Sequence, residues 1–282
     1  MRAVAVAIVM ACAGLLCSQA AVAREPQREL LVCADPSNLP YSNERQEGFE
    51  NRIASLIAQE LQATLHYTWN MQRRSFLRRT LHAGECDVVI GVPVGLRGVI
   101  ATRPYYTSSY VFVSQRERRL QRLDFDDPVL PRLKIGLQAI GADGANTPPA
   151  NSLATRGLVH NVVGFPMWAE EEVESPPERI IDAVAAGEID TAIVWGPFAG
   201  FFGKRHGDRL EVHAVTSDAR LPAQAFSFEI ALGVRKGETV LRDELQGVLD
   251  RRQQDIQAIL DEYAVPRVAA TTAPLRAAQA SQ

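Results

Sequence analysis

Apolar positions in the first third of the chain follow two different periods. Phe49, Ile53 and Ile57 recur at helical spacing, with Leu56 and Leu61 on the same face, which predicts an amphipathic helix. Short continuous apolar runs on either side of it are typical of buried strands. The predicted order is strand 30–34, helix 48–62, strand 64–69, helix 73–82 and strand 87–91. This βαβαβ order indicates a parallel sheet.

The second half repeats this plan, with strand 133–138, helix 148–156, strand 159–164, helix 177–186 and strand 190–194. The repeat is visible in the letters as well. Ala83-Gly84-Glu85-Cys86-Asp87 corresponds to Ala186-Gly187-Glu188-Ile189-Asp190, each a helix end, a glycine cap and the entry to a buried strand. Two similar α/β units are therefore expected.

Two β-rich stretches, 108–114 and 226–234, lie where the chain would pass between these units. We expect a two-lobed α/β protein in which each lobe is a mainly parallel sheet flanked by helices, joined by a two-strand hinge. Residues 28–112 and 228–266 would form lobe 1, with helices over 238–263. Residues 113–227 would form lobe 2, with hinge crossings near 108–118 and 222–234. The tail, 267–282, lacks an apolar period and is predicted to be disordered.

The amino terminus predicts export. Arg2 precedes an apolar run over 3–16, and Ala21-Val22-Ala23 forms an A-x-A cleavage site, so residues 1–23 are interpreted as a signal peptide. The alternative, a membrane anchor, needs about 20 apolar residues, and the run is shorter. Leu16 before Cys17 argues against lipidation. We expect a periplasmic protein without stable membrane insertion.

The amino-acid composition and net charge limit the classes of partner that the protein can bind. The chain is 46% hydrophobic and 22% charged, which suits a globular core, and its net charge of −3 offers no basic excess for nucleic acid or anionic lipid. Cys33 and Cys86 would share an oxidising compartment, so a disulfide is chemically permitted. Extended parallel pairing of their strands, however, would offset them by about 10 Å or more. The sequence alone does not decide whether Cys33 and Cys86 form a disulfide.

Catalytic and metal-binding patterns are missing from the sequence. There is no G-x-S-x-G turn, no zinc spacing among the five histidines, and no G-x-G-x-x-G or P-loop lysine. We therefore predict a binding protein with no catalytic residue, metal or cofactor. An enzyme remains the alternative, with Asp35, Glu50 or Asp143 as the acid–base group.

Ligands of doubly wound sheets lie beyond the carboxyl ends of the strands, which points to the loops 35–41, 92–97, 141–146 and 195–202. The aromatic segment 195–202 has two interpretations, packing between lobes or an apolar cleft for a partner. The 141–148 segment could hold an anion or be a simple turn. The predicted cleft residues are Asp35, Asn38, Tyr41, Val92, Pro93, Arg97, Arg103, Tyr105, Asp143, Asn146, Trp195 and Phe198.

Gly48-Phe49-Glu50-Asn51-Arg52-Ile53-Ala54 resembles the G-F-[DE]-x-x-[ILV]-[AC] helix start of the family 3 solute-binding proteins of ABC transporters. The resemblance covers nearly all of the mature chain and implies the type II periplasmic binding protein fold. Amino-acid binders of that family place an arginine after the third strand, where Arg97 does not match the usual T-x-x-R. They also place an acidic residue where this chain has Trp195. The resemblance therefore does not extend to an amino-acid ligand.

Longer strings resemble one subgroup of that family, the J accessory proteins of PQQ-dependent methanol oxidation. They are the segments 32–43, 103–106, 143–149 and 194–197. This resemblance implies a periplasmic protein that assists maturation or activation of a quinoprotein dehydrogenase by binding its subunit in an open cleft. The alternative within the family is delivery of a small organic solute to an ABC permease.

Overall fold

The computed structural model describes residues 28–120, 123–139, 146–167, 176–215 and 217–269. The predicted signal peptide, Asp143 and residues 270–282 of the predicted tail lie outside these ranges. No helix within them is long and apolar enough to cross a membrane.

The described residues contain twelve strands and seven α-helices, with short 3₁₀ turns between some of them. The strands are β1 Glu29–Ala34, β2 Ser37–Asn38, β3 Ser42–Asn43, β4 Thr64–Trp69, β5 Val88–Pro93, β6 Val99–Ala101, β7 Tyr106–Gln115, β8 Ile135–Ala139, β9 Val162–Pro166, β10 Thr191–Trp195, β11 Leu210–Ala214 and β12 Ser227–Arg235. The helices are α1 Phe49–Glu60, α2 Phe76–Arg79, α3 Pro148–Thr155, α4 Pro176–Ala186, α5 Gly196–Gly203, α6 Thr239–Arg251 and α7 Gln253–Glu262.

The main sheet runs in the order β4-β1-β5-β12-β7-β10-β8-β9. Its two ends are parallel, with β1 between β4 and β5 at one end, and β8 between β10 and β9 at the other. The long strands β12 and β7 join the ends in antiparallel pairing, from Ser227 opposite Ser109 to Ile230 opposite Tyr106. The predicted α/β class with two extended connecting strands is confirmed.

Each parallel end has an apolar core. Helix α1 covers the first end with Phe49, Ile53 and Ile57, all fully buried, against strand residues that include Leu30 and Val32. Around the other end, α4 and α5 form a second core on one face of the sheet, and α3 contributes Leu153 to a third. Burial of these apolar faces is the main force that holds the helices on the sheet.

The repeat seen in the letters has a structural counterpart. Gly84 and Gly187 both adopt positive φ, 80° and 75°, where the chain turns into β5 and β10. The carboxylate of Asp87 accepts a hydrogen bond from the Leu31 amide at the start of β1, and that of Asp190 accepts one from Lys134 just before β8. The same side chain thus fixes the entry of a central strand in both halves.

Cys33 and Cys86 form a disulfide with their Cα atoms 5.5 Å apart. The offset expected from extended strand pairing is wrong, because Cys86 does not lie in β5. It lies in the preceding turn, which the hydrogen bond from the Glu85 amide to the Thr80 carbonyl closes. That turn brings Cys86 back beside the end of β1.

Three local predictions differ from the structure. The predicted helix 73–82 is reduced to α2 and a 3₁₀ turn, and β6 and β11 were not predicted. The aromatic segment 195–202 is not a loop, since it forms α5 directly after β10. Pro197 lies in the first turn of α5, where its missing N–H and fixed φ suit a helix start.

Candidate functional site

A cleft of about 360 Å³ opens where the ends of both halves of the sheet meet, over the antiparallel strands β7 and β12. Its floor comes from these two strands, and its walls come from the loops that follow parallel strands of each half. We call it the aromatic cleft. It is lined by Asn38, Tyr41, Glu50, Gln72, Gly91, Pro93, Tyr106, Tyr110, Met167, Trp195, Phe198, Phe228 and Ile230.

Aromatic rings from both halves meet across the cleft. Tyr41 contacts Phe198 of α5 edge to face, with ring centroids 5.4 Å apart. Trp195, at the end of β10, meets Tyr110 at 5.5 Å and Phe228 at 5.7 Å, also edge to face. These contacts join the wall formed by the first half to the wall formed by the second, and they make the surface of the cleft mainly apolar.

The backbone at the start of α1 positions Tyr41 beside Glu50. The Glu50 amide donates a hydrogen bond of 2.9 Å to the Tyr41 carbonyl, and the Phe49 amide donates one of 2.8 Å to Pro40. Gly48 allows this approach, because a Cβ atom there would lie 2.0 Å from the Tyr41 carbonyl oxygen. The glycine of the G-F-E sequence is therefore required for the shape of the cleft wall.

The Glu50 side chain extends over Gly91 on β5. A Cβ atom at Gly91 would lie 1.8 Å from Glu50 Oε1, and Gly91 has a φ of 84°, so a side chain at this position would displace the carboxyl group. Glu50 has no ion-pair or hydrogen-bonding partner for its side chain among the described residues. Burial raises the pKa of the Glu50 carboxyl well above its usual value.

Asp35 shapes one wall of the cleft from behind. Its carboxylate accepts hydrogen bonds from the amides of Ser37, at 2.9 Å, and Gln72, at 2.6 Å. The Gln72 side chain in turn accepts a 3.0 Å hydrogen bond from the Asn38 amide group. Asp35 is 6% exposed and does not line the cleft, so it acts by holding Gln72 directly and Asn38 through Gln72.

The tyrosines of the cleft stay protonated. Burial raises the pKa of Tyr41 and Tyr106 well above the usual value, and it raises the pKa of Tyr110 to about 12. The nearby Glu50 carboxylate raises the pKa of Tyr106 further. At neutral pH these tyrosines are hydrogen-bond donors with apolar ring faces. Glu50 is the one carboxylic acid among the described lining residues.

Five of the predicted cleft residues line the cleft in the structure: Asn38, Tyr41, Pro93, Trp195 and Phe198. Four of the others lie elsewhere. Val92 of β5 is buried in the cluster that contains the disulfide, and Tyr105 packs into the first core beside Tyr106. Arg97 is exposed in the turn after β5, and Arg103 is exposed and paired with Asp250 of α6 at 2.6 Å.

Asn146, another predicted cleft residue, is exposed just before Thr147, the N-cap of α3. The Thr147 hydroxyl accepts a hydrogen bond from the Ala150 amide, so this end of α3 is capped by its own side chain. Asn146 is absent from the described lining of the aromatic cleft.

The sequence did not single out Gln72, Gly91, Met167, Phe228 and Ile230 as cleft residues. Phe228 and Ile230 alternate with period two on the connecting strand β12, and this pattern could have identified them. Gly91 ends the predicted strand 87–91, and a glycine in a strand often marks a close approach of another group. Gln72 and Met167 lie in loops and carry no such signal.

A cleft between two parallel half-sheets that antiparallel strands connect defines the type II periplasmic binding protein fold. Within this class, residues 30–266 match the bacterial extracellular solute-binding proteins, family 3. The chain belongs to that family.

Two curated relatives and one solved structure are similar over most of the chain. Protein MoxJ of Methylorubrum extorquens is 29% identical over 262 residues, which cover 88% of this chain and 85% of MoxJ. Protein MoxJ of Paracoccus denitrificans is 27% identical, over 84% of this chain and 88% of its own length. The crystal structure of periplasmic binding protein XoxJ from Methylobacterium extorquens AM1 is 34% identical, with a TM-score of 0.70, over 85% of this chain and 99% of XoxJ.

Proposed function

We propose that this protein is a periplasmic accessory factor that acts by binding and that assists maturation or activation of a PQQ-dependent methanol or alcohol dehydrogenase. Residues 1–23 would be removed on export. A segment of the dehydrogenase subunit would occupy the aromatic cleft. PQQ would belong to that partner and not to this chain.

The observation that carries the proposal is the lining of the aromatic cleft. An amino acid held in this cleft would need a cationic side chain for its carboxylate, and the described lining residues include none. Trp195 and Phe198 instead present apolar surface from the second half of the sheet. Aromatic side chains in a water-excluding pocket are typical of the anchoring centre of protein interfaces.

Similarity to the MoxJ proteins and to XoxJ supports this partner class, as do the long strings shared with the J accessory proteins of methanol oxidation. The enzyme alternative has no comparable support. The family is one of solute-binding proteins. Asp35, an acid–base candidate in that alternative, is engaged by two backbone amides.

We propose that residues 28–112 and 228–266 form one lobe and residues 113–227 the other, with β7 and β12 as the hinge. The aromatic contacts from Tyr41 to Phe198 and from Trp195 to Phe228 would then lie between the lobes. A partner segment would have to replace some of these contacts with its own apolar side chains. Partner binding would thus change the distance between the lobes.

Co-purification from periplasm tests the proposal. The tagged protein should capture the dehydrogenase from cells grown on methanol, and Asn38→Arg should abolish capture because it fills the cleft with a long cation. Ser37→Arg is the matched control, since Ser37 is the exposed neighbour of Asn38 on β2 and lies outside the cleft lining. Equal capture by both variants, or no capture by the unaltered protein, would refute the proposal.

The rival function, solute delivery to an ABC permease, predicts a different result. A small organic solute would raise the melting temperature of the protein without any dehydrogenase, because binding to the native state stabilises it. Tight solute binding together with no dehydrogenase capture would favour that function.

A further inference from the structure

Among the described residues that line the aromatic cleft, one is acidic and none is basic. Glu50 lies in the first turn of α1, and its carboxyl group reaches over Gly91 into the cleft. No Lys, Arg or His is among the described residues that line the cleft with it. Glu50 is half-buried, and a carboxyl group in mainly apolar surroundings without a counter-charge costs stability, so its presence there needs an explanation.

The surroundings of Glu50 suit a cation of a particular kind. Tyr41, Tyr106, Tyr110, Trp195, Phe198 and Phe228 line the same 360 Å³ space. The face of an aromatic ring attracts an organic cation, and several rings around one carboxylate bind an ammonium group that carries apolar substituents. A bare metal ion would find only the two Glu50 oxygens and neutral amide or phenol oxygens, which is a poor ligand set.

We propose that the aromatic cleft is an organic-ammonium site in which Glu50 pairs with the positive charge and the surrounding rings contact its alkyl groups. This inference deepens the proposed function and rests on it, because it names the chemical group that the same cleft takes from its partner. Asn38 and Gln72, held by Asp35, would then hydrogen-bond the polar atoms next to that group.

Calorimetric titration of the unaltered protein with choline and with its neutral isostere, 3,3-dimethylbutan-1-ol, separates charge recognition from apolar burial. Choline should bind at least about tenfold more tightly, a difference that a single ion pair or cation–π contact supplies. Equal affinity for both, or no choline binding at millimolar concentration, overturns the inference.

Substitutions in the aromatic cleft test whether choline binds there. Glu50→Gln should weaken choline binding about tenfold or more and leave binding of the neutral isostere unchanged. Glu85→Gln is the control, since Glu85 is exposed in the turn before β5. Phe228→Leu removes one ring of the floor and should also weaken choline binding. It keeps the inference testable if Glu50→Gln does not fold. Choline binding that survives both cleft substitutions overturns the inference.

The same titration distinguishes the two sources of an ammonium group. Preference for Nα-acetyl-lysine N-methylamide and its trimethylated form over choline points to a lysine of a protein partner, and the reverse preference points to a free solute. Dehydrogenase capture without ammonium binding would refute this inference alone. Ammonium binding without capture would refute the proposed partner and leave the site assigned.

Discussion

Phe201 on helix α5 stacks on Tyr263 at the end of helix α7, with ring centroids 5.6 Å apart and an angle of 14° between the ring planes. Helix α5 belongs to the second half of the sheet, and α7 packs on the first. Lys204 strengthens this contact by donating a 2.8 Å hydrogen bond to the Glu262 carbonyl. The wall of the aromatic cleft that carries Phe198 is therefore anchored to the first half at its back.

Gly200 makes this docking possible. A Cβ atom at Gly200 would lie 1.9 Å from the Ala264 carbonyl oxygen, a backbone atom that cannot move aside alone. We predict that Gly200→Ala lowers the free energy of unfolding by about 1 to 3 kcal/mol, the usual cost of overpacking. Urea unfolding measures the change.

Gly203 supplies the control for this prediction in the same helix. A Cβ atom there has nothing within 4 Å. Gly203→Ala should raise the free energy of unfolding slightly, by at most about 1 kcal/mol, because alanine favours a helix more than glycine does. Equal effects of the two substitutions would contradict a specific contact with Ala264.

The disulfide should contribute to stability through the unfolded state. Cys33 and Cys86 are 53 residues apart in sequence, so the bond closes a long loop and restricts the unfolded chain. Replacing both residues by alanine should lower the free energy of unfolding by about 2 to 4 kcal/mol. The matched measurement is the unaltered protein in a reducing agent, which should show the same loss. An unchanged urea midpoint in both would contradict the prediction.

Much of the fold could be predicted from local patterns. The spacing of Phe49, Ile53 and Ile57 predicted α1, because a helix with one apolar face leaves a clear period. Trp195 and Phe198 were expected in the cleft because ligands bind at the carboxyl ends of parallel strands.

The features that could not be predicted depend on contacts between residues that are far apart in the sequence. Arg103 lies outside the cleft on the exposed surface, where it pairs with Asp250 of α6, 147 residues away in the sequence. Cys86 reaches Cys33 through a turn that strand spacing cannot describe. Glu50 on helix α1 reaches the cleft because Gly91 on strand β5 leaves room for its carboxyl group.

The ion pair between Arg156 and Asp218 should contribute to stability in a pH-dependent way. Both side chains are buried, 4% and 0% exposed, and two hydrogen bonds of 2.7 and 2.8 Å join them. The Arg156 guanidinium lowers the pKa of Asp218 to about 2. The resulting stabilisation, about 2 kcal/mol, is present above the usual pKa of an aspartate and is lost as the pH falls toward 2.

Asp218→Asn should therefore lower the free energy of unfolding by about 3 kcal/mol at neutral pH, because among the described residues it leaves the buried guanidinium with one carboxylate partner, the half-exposed Asp126. The loss should shrink in acid, where the unaltered protein also loses the pair. Asp243→Asn is the control, since the pair of Asp243 with Arg242 is exposed and should contribute less than about 1 kcal/mol. Equal losses at neutral and acidic pH would contradict the assignment.

The raised pKa of Glu50 predicts the opposite dependence on pH. Burial raises this pKa in the folded state, so between the usual pKa of a glutamate and the raised value the folded protein binds more protons than the unfolded chain. Stability from this residue is complete below the usual pKa and is lost as the pH rises through the folded-state value. The tyrosines that share its surroundings, Tyr41, Tyr105 and Tyr106, have pKa values raised well above 10 by burial and do not titrate in this window.

Glu50→Gln isolates this effect. Its urea midpoint should exceed that of the unaltered protein at neutral pH and approach it in mild acid, because glutamine carries no charge to bury. The difference between the two proteins cancels the titration of other groups, such as the Asp218 pair. A difference that does not change with pH, or that grows in acid, would show that the Glu50 carboxyl is ionised and already satisfied in the folded protein. An organic cation bound in the aromatic cleft should remove the difference, since it stabilises the charged form of Glu50.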